Sequence, residues 1–381
     1  MIVIPSLEIG GGAEKNAYSL AAKFSNSYSV KFLTFYDLPN QHDTKQEIFC
    51  LGEKPKKNLY LKLVYLFKRL AFIKGKCKSY KPDLVISFGF YSNILVSLAS
   101  LIRNYKVILS VRSDIFKQSN IIKNLSCILY NRMDAIHVVT KKMHQNLSSL
   151  GINNITQIYN GHNIERYIEM AEHDLEIEIP EAKFVYLNIG RLSYPKGQWH
   201  LLKAFSLCVK DYPDSILIII GEGELREKLC SLAQSLGIED KVIMVGNTAN
   251  IFPYIKRSDC FCFTSLYEGL PNVLIETLSI GRPIISTDCI SGPREIIFPE
   301  LVFDEELTYP FKSNGYFLSA PFEISNVDTT RKLNQLEIKY SNLMEEARSI
   351  NKNISNQSIQ LFSENKILKQ WVEFIDDLCS T

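Results

Sequence analysis

The sequence predicts an α/β protein built from two doubly wound, Rossmann-like parallel-sheet domains in series. Three observations predict it. Strand-sized apolar runs without polar alternation, such as SILIIIG at 215–221, mark strands covered on both faces. Helical runs stand between these strands, so the chain reads strand-helix-strand over most of its length. The pattern is laid down twice, and charge divides the two halves. Residues 1–165 hold 22 Lys and Arg against 10 Asp and Glu, and residues 166–381 hold 21 against 31. A basic front half and an acidic back half imply two domains with different partners, and the positive half would attract an anionic surface or a phosphorylated ligand.

In the front half, 1–7 reads as a strand and 10–24 as a glycine loop opening a helix. A strand at 28–36 and a long helix near 57–80 follow. Pro82 opens a strand at 82–89; 91–102 is helical; 106–112 and 134–140 are strands; a helix runs to Leu150; 155–161 closes the half. In the back half the strands are 183–190, 215–221, 241–246, 259–265 and 282–287, with helices between them at 197–212 and 223–237 among others. The expected domains are 1–165 and 166–360, joined around 160–182, with a last helix over 361–381 crossing back to the first. Ligands of such sheets bind at the carboxyl ends of the strands, so the shared site is expected in the inter-domain cleft.

Composition narrows the class. With 381 residues, 46 % hydrophobic and 22 % charged, the chain has the make-up of a globular protein. No apolar run approaches the ~20 residues of a membrane span. MIVIPSLEIG enters a strand with no basic leader, and the nine scattered cysteines read as reduced thiols, so a cytoplasmic protein is expected. Cys260 and Cys262 form a lone C-x-C with no second pair, so no metal site is expected.

Four stretches suggest chemistry. Gly10-Gly11-Gly12 follows the first strand and opens a helix, where glycines admit a ligand to the backbone and free N–H groups attract an anion; a plain turn is the alternative. In NIGRLSYPKGQW, Arg191 and Lys196 flank a loop after a strand and could clamp a diphosphate, or be solvated surface. IIIGEGELREKL carries Gly221 and Gly223 after a strand but lacks the third glycine of a dinucleotide fingerprint. In SLYEGLPNVLIETLSIGRP, Glu268 sits on a loop, Pro271 fits the first turn of a helix and Gly281 ends it. Glu276 is four residues after Asn272, one turn along, so both acids can face the cleft beside a helix N-terminus. Alternatively Glu268 is a cap and Glu276 a surface residue.

Taken together and in order, these segments resemble the retaining glycosyltransferases of the GT-B fold, in the large nucleotide-sugar-dependent family four. GGGAE resembles the family's glycine loop, GRLSYPKG its phosphate clamp, and EGLPNVLIE its E-x7-E motif. SGPREII at 291–297 is similar to a pattern of members that build bacterial surface polysaccharides. Only nine residues precede the glycine loop, fewer than members often have. The resemblance implies roles. Arg191 and Lys196 would neutralise the donor diphosphate and Glu268 would touch the donor sugar. Leu270, Pro271 and Asn272 would contact sugar and phosphate, and Glu276 the ribose hydroxyls. Gly11 and Gly12 would approach the diphosphate, Gly246 and Asn247 would lie near the base, and Arg112 on the acceptor side. The chain has no D-x-D, so fixed cations and a helix N-terminus are expected to replace a metal, with no cofactor. Retention by front-face attack is implied, with the leaving phosphate as base.

The implied activity is transfer from a nucleotide sugar, expected to be a UDP-sugar, to a glycan on a polyprenyl diphosphate. Residues 53–81 hold ten Lys and Arg against one Glu, with Leu59, Leu63, Leu66, Leu70 and Ile73 in one helical stripe and Tyr60, Val64 and Phe67 beside it. Such a helix could lie on the anionic inner face of the plasma membrane, or pack on the sheet with a solvated basic face. No nucleic-acid partner is expected. Two rivals stand: a GT-B nucleotide-sugar epimerase, which needs proton-moving groups that the six scattered histidines do not supply as a cluster, and an inactive binding partner of the same fold.

Overall fold

The computed structural model describes residues 1–7, 12–38, 44–53, 59–112, 119–301, 306–354 and 356–380, with only the backbone at 59–63. The chain forms two compact units, Met1–Gly161 with Glu364–Thr381, and His162–Ser363.

The first unit begins β1 (Ile2–Ile4), α1 (Gly12–Phe24), β2 (Lys31–Tyr36), β3 (Glu47–Glu53), α2 (Leu59–Tyr80), β4 (Leu84–Phe88) and α3 (Phe90–Ala99). It continues with β5 (Lys106–Val111), α4 (Asn120–Tyr130), β6 (Ala135–Val138), α5 (Lys141–Ser148) and β7 (Ile155–Gln157). The strands lie in the order β3-β2-β1-β4-β5-β6-β7, all parallel. Ile2 of β1 registers with Phe32 on one side and Ile86 on the other. The winding reverses between β1 and β4, which is the doubly wound arrangement.

The second unit holds α6 (Ile164–Met170), β8 (Phe184–Ile189), α7 (Gln198–Asp211), β9 (Ser215–Ile220), α8 (Arg226–Leu236), β10 (Val242–Gly246) and α9 (Phe252–Arg257). After these come β11 (Cys260–Phe263), α10 (Asn272–Ser279), β12 (Ile284–Thr287), α11 (Pro293–Ile297), β13 (Phe311–Ser313), β14 (Tyr316–Ser319) and α12 (Gln335–Ala347). The order is β10-β9-β8-β11-β12-β14-β13, and the winding reverses between β8 and β11. All neighbours are parallel except the β13–β14 hairpin at the edge. β9 is buried at every residue, as its unbroken apolar run requires. A last helix, α13 (Glu364–Ser380), belongs to the first unit. There Trp371 packs on His137, ring centroids 4.4 Å apart, and Ile367 and Ile375 join the core.

The strands expected from apolar runs are present, most of them trimmed by a residue or two at their ends. The first and the last of the front half shrink further, from 1–7 to Ile2–Ile4 and from 155–161 to Ile155–Gln157. Elements the pattern missed have physical reasons. β3 is an edge strand whose outer residues are exposed, so its sequence lacks a continuous apolar run. β13 is likewise a short edge strand, whereas β14, paired on both sides and buried at every residue, is only four residues long.

α2 confirms the long helix but changes its basic face. Arg69 points inward and is buried; its Nε donates to Glu53 Oε2 at 2.8 Å, and it also donates to Tyr91 Oη (2.6 Å) and Tyr36 Oη (3.1 Å). Its guanidinium lies 5.1 Å from the Tyr36 ring centre and 5.2 Å from that of Tyr91. Ile73 is buried and Leu66 and Leu70 are half-buried, as the stripe predicts, but Val64 and Phe67 are exposed. The side chains of Leu59, Tyr60 and Leu63 lie outside the described residues, as do Lys54, Lys56 and Lys57. Among the described residues no helix is long and apolar enough to cross a membrane.

Candidate active site

In the second unit the expected residues gather on one edge of the sheet, where β8, β10 and β11 end. The segment after β8 is laid on its neighbours by backbone bonds. Gly190 N–H donates to Ile220 O (2.9 Å), Leu192 N–H to Glu222 O (2.9 Å), and Leu225 N–H to Leu192 O (3.0 Å). Gly221 (φ +137°) and Gly223 make this approach possible: a Cβ on Gly221 would lie 2.1 Å from Gly190 O, and one on Gly223 would lie 2.3 Å from Leu192 O. The G-x-G after β9 therefore serves backbone packing beneath the Arg191–Lys196 loop.

The far end of that loop is tied to the end of β11. Leu266 N–H donates to Pro195 O (2.8 Å) and Thr264 Oγ1 to Lys196 O (3.1 Å). Lys196, its aliphatic chain lying over Gly190, extends to Glu268, with Nζ–Oε1 at 2.6 Å. Ser265 Oγ donates to the same oxygen at 2.8 Å. Thr287 Oγ1 in turn holds the Ser265 carbonyl (2.7 Å). The two sequence motifs thus meet in one ion pair, with side chains 24 % and 14 % exposed. Arg191 is exposed and makes no ion pair among the described residues. Burial, and then the charge of Glu268, push the nearby Cys289 thiol well above its ordinary range.

Glu268 is on a loop, as expected. The helix that follows starts one residue later than predicted. Pro271 is the N-cap of α10, its extended ψ of 94° excluding it from the helix, and Asn272 is the first helical residue. Gly281, at φ +70°, follows the C-cap Ile280 and ends the helix as expected. Glu276 lies in the second turn and is 5 % exposed, so it is not a surface residue. Leu270 and Pro271 are buried, Asn272 half-buried. Gly246 ends β10 beside Glu222, which Arg226 pairs at 2.6 Å; Asn247 is exposed.

The 291–297 stretch supports this loop. Gly292 (φ +96°) sits so close that a Cβ would lie 2.3 Å from Pro271 Cδ and 2.8 Å from Gly269 O. Pro293 opens α11, and Arg294 Nε donates to Asp288 Oδ2 at 2.9 Å while Tyr309 Oη donates to the same oxygen at 2.6 Å. Ser265, Asp288 and Tyr309 were not anticipated. Polar side chains of this kind carry no sequence signal until the strands that hold them are placed.

In the first unit, Gly12 is exposed at the start of α1, its carbonyl accepting from Asn16 Nδ2 (2.6 Å). Gly11 lies outside the described residues. Arg112, just past β5, donates through Nε to Ser110 Oγ (2.9 Å) and also bonds Asn160, 5.0 Å above the Phe88 ring centre. Ser110 bonds His137 Nδ1 (2.9 Å), and His137 Nε2 donates to Ile158 O (2.9 Å). Burial draws the Arg112 guanidinium down to about 9, with Glu14 opposing. Burial and then the charge of Arg112 draw His137 down to about 3, so it is neutral at physiological pH.

The chain matches two family models, "Glycosyltransferase Family 4" over residues 10–166 and "Glycosyl transferases group 1" over residues 169–315. It is 33 % identical to an uncharacterized glycosyltransferase of Methanocaldococcus jannaschii, over 94 % of this chain and 95 % of that protein. It is 28 % identical, over 75 % of this chain and 80 % of that one, to the Campylobacter jejuni N-acetylgalactosamine-N,N'-diacetylbacillosaminyl-diphospho-undecaprenol 4-alpha-N-acetylgalactosaminyltransferase. A crystal structure of Anabaena HepE in complex with UDP and glucose shares the fold at TM-score 0.75 and 18 % identity, covering 98 % of each chain.

Proposed function

The chain belongs to the group 1 glycosyltransferases of family 4, and on that premise we propose a retaining transfer of a sugar from a UDP-sugar to a glycan carried on a polyprenyl diphosphate, in the building of a surface polysaccharide. UDP is favoured by the ligand of the HepE structure, and the lipid carrier by the diphospho-undecaprenol in the name of the Campylobacter relative.

The observation that carries the reading is the Lys196–Glu268 pair at the meeting of the two motifs, beside the N-terminus of α10. An ammonium and a guanidinium on one loop suit a diphosphate, whose charge grows as the C1–O bond breaks. Lys196 and Arg191 stabilise that charge; no metal step is part of the reading. The acceptor hydroxyl attacks C1 on the face the diphosphate leaves, and its proton passes to the departing phosphate oxygen. Glu268 accepts from the sugar hydroxyls and Glu276 from the ribose. The membrane partner is an anionic surface met through residues 53–81, of which Lys68, Lys74 and Lys78 are exposed on α2.

The test is incubation with a panel of nucleotide sugars, with and without a polyprenyl-diphosphate-linked glycan. Acceptor-dependent release of UDP with an axial linkage conserved in the product supports the reading. An epimerised nucleotide sugar without acceptor, inverted product, or no turnover with any donor would overturn it.

A further inference from the structure

α4 carries its amphipathicity in reverse. Its inward side is Ser126, Leu129 and Tyr130, and its outward side is Ile121, Leu125 and Ile128, spaced four and three apart. Ile121 is 82 % exposed and Ile128 58 %, with Leu125 and Ile122 also exposed. A helix covering a sheet normally turns such residues inward. The apolar surface continues past the helix. Arg103 pairs with Asp134 at 2.6 Å and donates to Arg132 O, which ties the preceding turn to the end of α4; there Ile102 is 96 % exposed and Leu101 also stands out. α3 packs against α4 on one side and α2 on the other, and α2 presents Phe67 and Val64 outward among Lys68, Lys74 and Lys78.

Charge identifies the occupant. Residues 119–133 contain Lys123 and Arg132 and no acid, and α2 adds the exposed Lys68, Lys74 and Lys78. A second copy of this chain would bring two positive surfaces together. An anionic bilayer offers both an opposite charge and an apolar layer to a helix with isoleucines on its outer face. We infer that α4 is a membrane-inserting helix, seating Ile121, Leu125 and Ile128 below the headgroups of an anionic phospholipid bilayer while the lysines of α2 meet the headgroups. The inference rests on the membrane partner of the proposed function but assigns the apolar anchor to a different helix.

The experiment is flotation with phosphatidylglycerol–phosphatidylcholine vesicles and with phosphatidylcholine vesicles alone, at low salt and at about 0.5 M salt, where charge is screened. The wild type is expected to bind the anionic vesicles and to keep a salt-resistant fraction. Ile121→Asn/Leu125→Asn/Ile128→Asn should lower binding by about tenfold or more and abolish that fraction. Its melting temperature and donor hydrolysis in solution should be unchanged. Lys68→Gln/Lys74→Gln/Lys78→Gln should lower only the salt-sensitive part. As a reporter independent of any loss, Ile121→Trp should show blue-shifted, bromolipid-quenched emission on anionic vesicles, against the buried Trp199 and Trp371.

Wild-type binding that the α4 substitutions leave intact would overturn this inference alone. No binding by the wild type would overturn the membrane reading with it, while turnover on a soluble acceptor would still stand. Conversion of a dimer to a monomer by the α4 substitutions, with vesicle binding unchanged, would make the occupant a second copy.

Discussion

Replacing Gly221 by alanine would set a methyl group 2.1 Å from the Gly190 carbonyl oxygen, where ordinary contact begins at 3.4 Å. That oxygen is backbone in a loop bonded at Gly190 and Leu192, so the loop must retreat by roughly 1 Å for the strain to relax. The Lys196 side chain lies over Gly190, so the seat of its ammonium shifts while its backbone stays tied to the end of β11. Misplacing a catalytic group by that distance costs about a hundredfold in rate. The left-handed φ adds strain of ~1–3 kcal/mol. At ~2–4 °C per kcal/mol for a unit of this size, that strain alone should lower melting by roughly 2–12 °C. Gly237→Ala is the matched control: Gly237 also has a positive φ, +70°, but nothing lies within 4 Å of its Cβ position. The assay is kcat/KM for UDP release, with melting temperature measured on the same preparations. Gly221→Ala within about threefold of wild type, or an equal loss in Gly237→Ala, would refute the view that the G-x-G holds the cation loop in place.

Lys196→Ala should lower kcat/KM by about 150-fold, the equivalent of about 3 kcal/mol, chiefly in kcat, read from donor hydrolysis. Glu268→Gln keeps the shape and should keep the melting temperature, yet replaces a hydroxyl acceptor by an amide donor; transfer should fall at least about tenfold while UDP binding, followed by thermal shift, holds. Arg69→Met leaves Glu53 uncompensated at 2 % side-chain exposure and should destabilise by about 3–5 kcal/mol in denaturant melts, with Glu53→Gln added in the same chain recovering part of it. His137 titrates at about 3 when folded and 6.5 when unfolded. Between those values the unfolded chain holds a proton that the folded one lacks, so stability falls as pH drops, by about 1.4 kcal/mol per pH unit, with no contribution above the unfolded value. His137→Gln should flatten that part of the acid limb in melting curves from pH 7 to pH 4.

The strands were readable because a buried parallel strand needs apolar residues on both faces, and SILIIIG or KFVYLNIG satisfies no other environment as well. β3 and β13 were not readable because edge strands are released from that demand, and β14, buried between β12 and β13, was missed because four residues are too short a run to stand out. In the site, the motif glycines and acids were legible as positions but not as partners. Gly221 and Gly223 read as a failed dinucleotide loop, since close approach to a carbonyl and close approach to a phosphate ask for the same residue. Gly292 and Arg294 read as a family pattern, and only the fold shows that one packs on Pro271 and the other braces Asp288. Nothing in the sequence separates Arg69, an inward cation, from the lysines around it; a helical stripe of leucines does not reveal which arginine has a glutamate waiting beneath it.

The resting geometry of the pair also bears on how a site can be ready before its ligand arrives. Both donors to Glu268, the Lys196 ammonium and the Ser265 hydroxyl, take the same oxygen, Oε1. The carboxylate is therefore fixed in orientation by two bonds on one side, and on the proposed function Oε2 would accept from a sugar hydroxyl. Lys196 has three N–H donors and gives one to Glu268, so in the proposed site two would face phosphate oxygens. A pair that satisfied both oxygens of Glu268 would have to break before a donor could bind. On the proposed function this one would admit the sugar and the diphosphate while keeping its own bond, and the ion pair would lower the reorganisation that accompanies charge development on the leaving group. On this argument Lys196 and Glu268 act as one unit, and their separate removal should cost nearly as much as their joint removal.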